Sequence, residues 1–204
     1  MRTITALFDT YDHAASAVRA LKDAGISSAD ISIVANNVGG EIQYEDDMDA
    51  GDGAAAGAGV GAVAGGGAGL LAGLGAIAIP GIGPVIAGGW LLATAVGALA
   101  GAAVGGAAGG LLGALANAGV PEEEAHVYAE GVRRGGTVVS VRADESRADA
   151  VGAILRSSTG VDLDQRRRDY LAEGWNGFDE DAPAYSEEQI RDYRNAYGYI
   201  PPAV

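Results

Sequence analysis

Apolar positions recur at two different periods near each end of the chain. Thr3 to Phe8 is rich in β-formers and is bounded by Asp9, which predicts a strand. From His13 to Ala24 the period becomes helical, with Ala14, Ala17, Val18 and Leu21 on one stripe and Asp12 placed to cap the start. Gly25 follows at the position where a left-handed backbone costs glycine little. Asp30 to Ala35 predicts a second strand, completing a β-α-β unit. The same order returns later. Thr137-Val138-Val139-Ser140-Val141, within Gly136 to Ala143, predicts a strand, and Glu145 to Ser157 a helix facing inward with Ala148, Val151, Ile154 and Leu155. Val161-Asp162-Leu163 completes the second unit as a last strand. Ala15 to Leu21 matches Ala148 to Ile154 at a constant offset. Two such units predict an α+β fold, a four-stranded ferredoxin-like sheet with helices on one face.

Between the units the pattern is of another kind. Gly53 to Pro121 carries no charge. Glycine recurs at every fourth position as Gly53, Gly57, Gly61, Gly65, Gly69 and Gly73, then as Gly97, Gly101, Gly105, Gly109 and Gly113, led by Gly89 with Ala93 in register. Ile79-Pro80-Gly81-Ile82-Gly83-Pro84 separates the two series. This predicts a glycine-zipper hairpin of two helices, the first running from Gly53 to Ile79. Each helical glycine costs roughly 1 kcal/mol relative to alanine, so the ten in that helix make sense only as a contact surface between close backbones. A second small stripe, Ala98, Ala102, Gly106, Gly110 and Ala114, implies more than one neighbour. The expected contact residues of a homo-oligomer are Gly57, Gly61, Gly65, Gly69, Gly73, Gly97, Gly101, Gly105, Gly109 and Gly113.

Two covers suit such a hairpin. A 27-residue helix is about 40 Å long, enough for a hydrocarbon core of about 30 Å, and Trp90 can anchor at an interface. The uncharged tip favours embedding, whereas the sparse Leu, Ile and Val and the acidic flanks (Glu41 to Asp52, Glu122 to Glu124) favour burial inside a protein assembly. The expectation is a protein on the cytoplasmic side, membrane-associated, with a soluble assembly as the alternative. The N-terminus lacks the apolar run of a signal peptide.

The domain boundaries follow: 1–40 for the first half of the sheet domain, 41–52 for an acidic linker, 53–120 for the hairpin, 121–168 for a helix and the second half, and 169–204 for a tail. The helix after the hairpin places Pro121 at its first position, Ala125, Tyr128, Ala129 and Val132 inward, and Arg133 and Arg134 in its last turn. The tail is acidic yet holds Trp175, Phe178, Tyr185, Tyr193, Tyr197 and Tyr199, so it is expected to dock on the body or a neighbour. Ser186 to Gln189 has the form of a capping box.

Chemistry is sparse. A net charge of −14 argues against nucleic acid, and the one basic run, Arg166 to Arg168, reads as a solvated strand end. Cysteine is absent, and His13 and His126 stand apart from any metal-ligand spacing. Glu45 to Asp49 lacks an EF-hand pattern, and Gly59 to Ala64 matches a dinucleotide pattern only by glycine abundance. No catalytic residue, metal site or cofactor is expected, nor an enzyme. A ligand-binding sensory module anchored by the hairpin remains a third reading.

Thr5-Ala-Leu-Phe-Asp9, the Ala-rich helix and Asp30-Ile-Ser-Ile-Val34 resemble the bacterial general stress protein domain, the heat-induced stress protein family. Tyr128 to Val139 is similar to the returning segment of its glycine-zipper members, and Pro183-Ala-Tyr185 and Tyr197-Gly-Tyr199 resemble a Tyr-rich C-terminal pattern. The resemblance covers roughly 3–40 and 121–168 and implies a bacterial stress context without catalytic residues.

Overall fold

The computed structural model describes residues 1–40, 42, 75–91, 110–158 and 160–197. Its strands are β1 (Arg2–Phe8), β2 (Ile31–Asn36), β3 (Gly75–Ile79), β4 (Gly83–Gly88) and β5 (Thr137–Ala143). Its helices are α1 (Tyr11–Asp23), α2 (Gly110–Asn117), α3 (Glu122–Arg133), α4 (Glu145–Ser157), α5 (Leu163–Ala172) and α6 (Glu187–Ala196). The strands form one antiparallel sheet in the order β1-β5-β2-β4-β3.

Strand β5 lies between β1 and β2, with Val139 opposite Ala6 on one side and Ile33 on the other. Its side chains alternate between two cores. Val138 joins Leu7 and Val34 beneath α2 and α3, while Val139 and Val141 join Phe8, Ile31 and Ile33 beneath α1 and α4. Helices therefore cover both faces, not one. The near-continuous apolar run of β5 is the signature of a strand buried on both sides. The repeated helical segments meet in the second core, where Val18 of α1 and Val151 of α4 are both buried.

The expected four-stranded sheet is not what forms. Val161 reaches the free edge of β1 and donates its N–H to the Leu7 carbonyl at 2.8 Å, but no strand follows. Asp162 instead caps α5, accepting from the Gln165 N–H at 2.9 Å. The cap stops the strand where it would have begun. Smaller corrections are of the same kind. Thr10, not Asp12, caps α1, and Pro121 is the cap of α3 and not its first residue. Gly25, with φ 77°, ends α1 as expected.

The larger correction concerns the middle of the chain. Residues 75–79, expected in the first zipper helix, form β3, and the Pro80 turn joins it to β4 as a β-hairpin. Ile82 N–H donates to the Ile79 carbonyl at 3.1 Å, with Pro80 and Gly81 (φ 73°) between them. Pro then Gly at these positions is the signature of a type II turn, and local turn chemistry overrides the helical reading. Trp90 is no interfacial anchor here. It donates Nε1–H to the Asp30 carbonyl at 3.2 Å and lies beneath the Arg142 guanidinium, 4.9 Å from the ring centre. Of the expected contact glycines, Gly57, Gly61, Gly65, Gly69, Gly73, Gly97, Gly101, Gly105 and Gly109 lie outside the described residues. Gly113 is half-buried in α2, between the core residues Leu112 and Ala114. The acidic linker residues Glu45 to Asp49, the glycine pattern from Gly59 to Ala64, and Tyr199 also lie outside.

Gly89 leaves β4 with φ 87°, and a Cβ there would stand 2.3 Å from the Ile31 carbonyl oxygen. Gly89→Ala is expected to destabilise the fold by about 2–4 kcal/mol, read as a lower urea midpoint.

Candidate functional site

The most densely bonded feature outside the sheet is the seat of the C-terminal segment. It is built from arginines that sequence reasoning assigned to solvent or to a helix end. Arg166 lies one turn into α5, and Arg134 follows α3 as its cap residue. Both are only 6% exposed. A buried guanidinium is tolerated when it is paired with a carboxylate and hydrogen-bonded, and both of these are.

Arg166 donates Nη1–H to Asp9 Oδ1 at 2.8 Å and to the Tyr193 hydroxyl at 3.0 Å, with its plane 4.3 Å from the centre of the Tyr197 ring. Arg134 donates Nε–H to Glu130 Oε1 at 2.7 Å and Nη1–H to Glu173, and stacks 4.2 Å from the centre of the Tyr170 ring. Arg133 stacks on Tyr185 at 4.8 Å and donates to the Pro183 carbonyl at 3.1 Å. Each cation–ring contact is worth about 0.5–2 kcal/mol, more as water is excluded. Tyr193 donates to the Tyr170 hydroxyl at 3.2 Å, and Trp175 meets Tyr170 edge-on with centroids 5.5 Å apart.

The electrostatics follow from burial. Loss of water works against the charge of Arg134, but its hydrogen bonds to Glu173 and Glu130 outweigh it and hold the proton more firmly than in solution. Arg166 behaves alike through Asp9. Burial pushes the Tyr170 and Tyr193 hydroxyls up, so both stay neutral donors and acceptors. The cluster is a structural clamp in which the two guanidinium groups stay charged and the Tyr170 and Tyr193 hydroxyls stay neutral.

Two apolar anchors complete it. Ile190 of α6 seats on Gly135 (φ 98°), where any Cβ would stand 2.3 Å from its Cγ2. Phe178 enters the core beneath α2 and α3, and its N–H donates to His126 Nδ1 at 3.0 Å. His126 is thus a positioning acceptor. The capping box of α6 is present, with Ser186 and Gln189 bonded reciprocally. The tail docks on its own body, as expected from its aromatics.

Between these anchors, residues 179–184 cross the tip of the β3–β4 hairpin. A Cβ on Gly81 would stand 2.7 Å from the Asp179 carbonyl oxygen, and one on Gly83 2.9 Å from the Ala184 Cβ. Ile82, between the two glycines, is buried in the core that α2 and α3 cover. The chain's own C-terminal segment thus lies against the glycines of the uncharged tip, while Pro80 and Pro84 stay exposed.

Other candidates carry less chemistry. A cleft of about 220 Å³ opens at the start of α3, between Glu123, Val127, Leu163 and Asp164, and Arg167 closes on Glu123 at 2.8 Å across it. Among the described residues no group of three or more His, Cys, Asp or Glu side chains stands together as a metal site. No helix among them is long and apolar enough to cross a membrane.

With this geometry in hand, the comparison with protein families decides one point. Residues 3–78 match the heat induced stress protein YflT domain. The match takes in β1, α1, β2 and all but the end of β3, and bears out the stress-protein resemblance for the first β-α-β unit. The clamp arginines, α3 and the tail lie beyond it. Neither the curated proteins nor the solved structures compared with the chain gave a match.

Sequence reasoning missed Arg134, Arg166 and Asp9 as partners. The available signal was the tail itself: tyrosines among acids need cations to dock against.

Arg166→Met keeps the apolar stem but strands Asp9 and the Tyr193 hydroxyl. It is expected to cost about 2 kcal/mol by chemical denaturation, below the roughly 3–5 kcal/mol of a fully buried pair because Asp9 remains partly solvated. Burial, then Asp181, pushes the Glu180 carboxyl up. A raised folded value means that docking is favoured below the ordinary carboxylate range and weakened as pH rises through the raised one. Glu180→Gln is therefore expected to raise the thermal midpoint at pH 7, with the gain disappearing in acid.

Proposed function

We propose that this is a non-enzymatic, stress-associated protein that self-associates through its uncharged glycine- and alanine-rich stretches, 53–74 and 92–109. The stress association rests on the family match over residues 3–78. The self-association rests on where the folded body delivers those stretches. Gly75 pairs with Ala87, so the end of the first stretch and the start of the second meet the body at one end of the β3–β4 hairpin. Two uncharged, glycine-periodic segments presented together are suited to bind like segments of other copies.

The rest of the described surface offers little alternative. Met1 and Leu171 are the large apolar side chains exposed among the described residues. The high negative charge keeps such bodies apart except where uncharged segments meet. Of the two covers considered for the stretches, other protein copies are favoured over lipid. The tip that argued for embedding is partly covered by residues 179–184, and Trp90 is bonded within the body.

Gly65→Leu and Gly101→Leu block close backbone approach. Each is expected to reduce the oligomer mass of detergent-free protein by mass photometry, leaving the circular dichroism of the body unchanged. Unaltered mass in both variants rejects the stretches as the contact. Recovery of the wild-type protein only in a membrane pellet rejects protein cover in favour of lipid.

A further inference from the structure

We infer that the seat of the C-terminal segment on α3 is proton-sensitive, with His126 as the group that responds to pH. The inference stands apart from the self-association proposed above. One face of α3 carries the segment. His126 meets it at Gly177 and Phe178, and Arg133, two turns on, meets it at Pro183 and Tyr185. The contact at His126 constrains the ring. Phe178 donates its backbone N–H to Nδ1 at 3.0 Å, so Nδ1 is the bare nitrogen and the proton of the neutral ring sits on Nε2. An imidazolium carries hydrogen on both nitrogens and accepts at neither. Its Nδ1–H would face the Phe178 N–H, donor against donor. A second proton and the seated segment therefore compete for one lone pair. The ring is half-buried, within reach of solvent.

The surrounding charges do not replace that acceptor. On α3, Glu122 and Glu123 lie one turn before His126 and Glu130 one turn after, and Glu130 is held by Arg133 and Arg134. From α5 come Arg167, paired with Glu123, and the neutral Tyr170 hydroxyl. Helix α2 has no titratable side chain. The strands beneath α3 carry Arg2, opposite Ala143, and Arg142, paired with Asp30. The segment itself brings Asp179, Glu180 and Asp181. Among the described residues no carboxylate forms an ion pair with His126. The seated form thus excludes a proton that the released form takes up. The seat is firm at neutral pH and loosens as pH falls through the range, about 5 to 8, in which histidine ordinarily titrates. Glu180 acts in the opposite sense, since its raised carboxyl favours docking when protonated. Loosening in mild acid cannot come from it.

The test uses the full chain and hydrogen exchange, with each rate corrected for the intrinsic effect of pH. Protection of the Phe178 amide is expected to fall about fivefold between about pH 7.5 and about pH 5.5, while the β5 amides keep theirs. Nitrogen NMR of the imidazoles is expected to show His126 Nδ1 gaining its proton over the same interval. Constant protection of Phe178 while Nδ1 is protonated overturns the inference. His126→Asn offers an amide oxygen near the place of Nδ1 and takes up no proton. It is expected to keep Phe178 protected and to abolish the pH dependence, whereas His13→Asn, at the other histidine, leaves the dependence intact. A fall in His126→Asn equal to that of the wild type, or a dependence lost in His13→Asn, assigns the effect to another group and overturns the role of His126.

Discussion

The constraint on which the molecule depends is the placement of β5. A strand paired on both sides and buried on both faces must supply apolar side chains in both directions, and Val138, Val139 and Val141 do so. Everything else answers to it. The helices α1 and α4 close one face, and α2 and α3 close the other. Because α3 ends beside the strand that follows it, Arg133 and Arg134 are delivered to the rim of the body, where the C-terminal segment meets them. The clamp is thus a consequence of the sheet order.

The clamp also accounts for an acidic, aromatic tail that composition alone leaves ambiguous. Tyrosine rings present a negative face to a guanidinium while their hydroxyls still exchange hydrogen bonds, so one residue type satisfies both the plane and the edge of an arginine. Arg166, between Asp9 and the rings of Tyr193 and Tyr197, is filled in this way. The cost of burying it is thereby offset without a fully enclosed carboxylate.

Local patterns were legible where they were also the ones that fold. The α1 stripe of Ala14, Ala17, Val18 and Leu21 is buried as read, and α4 begins and ends where its pattern does. The capping box of Ser186 and Gln189 was legible because both partners lie within one turn. The β3–β4 hairpin was not, since Gly75 to Ile79 directly follows a glycine register ending at Gly73 whose helical reading outweighed the Pro-Gly turn beside it. The Arg166–Asp9 pair was illegible for a different reason: 157 positions separate its members, and nothing local to either marks the other. Period and capping report neighbours along the chain, whereas the candidate site is made of partners across it.

The β1 edge carries a consequence of its own. The hydroxyl of Tyr128 donates to the Thr5 carbonyl at 2.9 Å, and Val161 occupies the carbonyl of Leu7. Two acceptors that would template a foreign strand are already taken, one by a side chain and one by a single stray backbone group. The lost fourth strand thus leaves behind a stopper. It closes part of one margin of the sheet to any other strand that would join it.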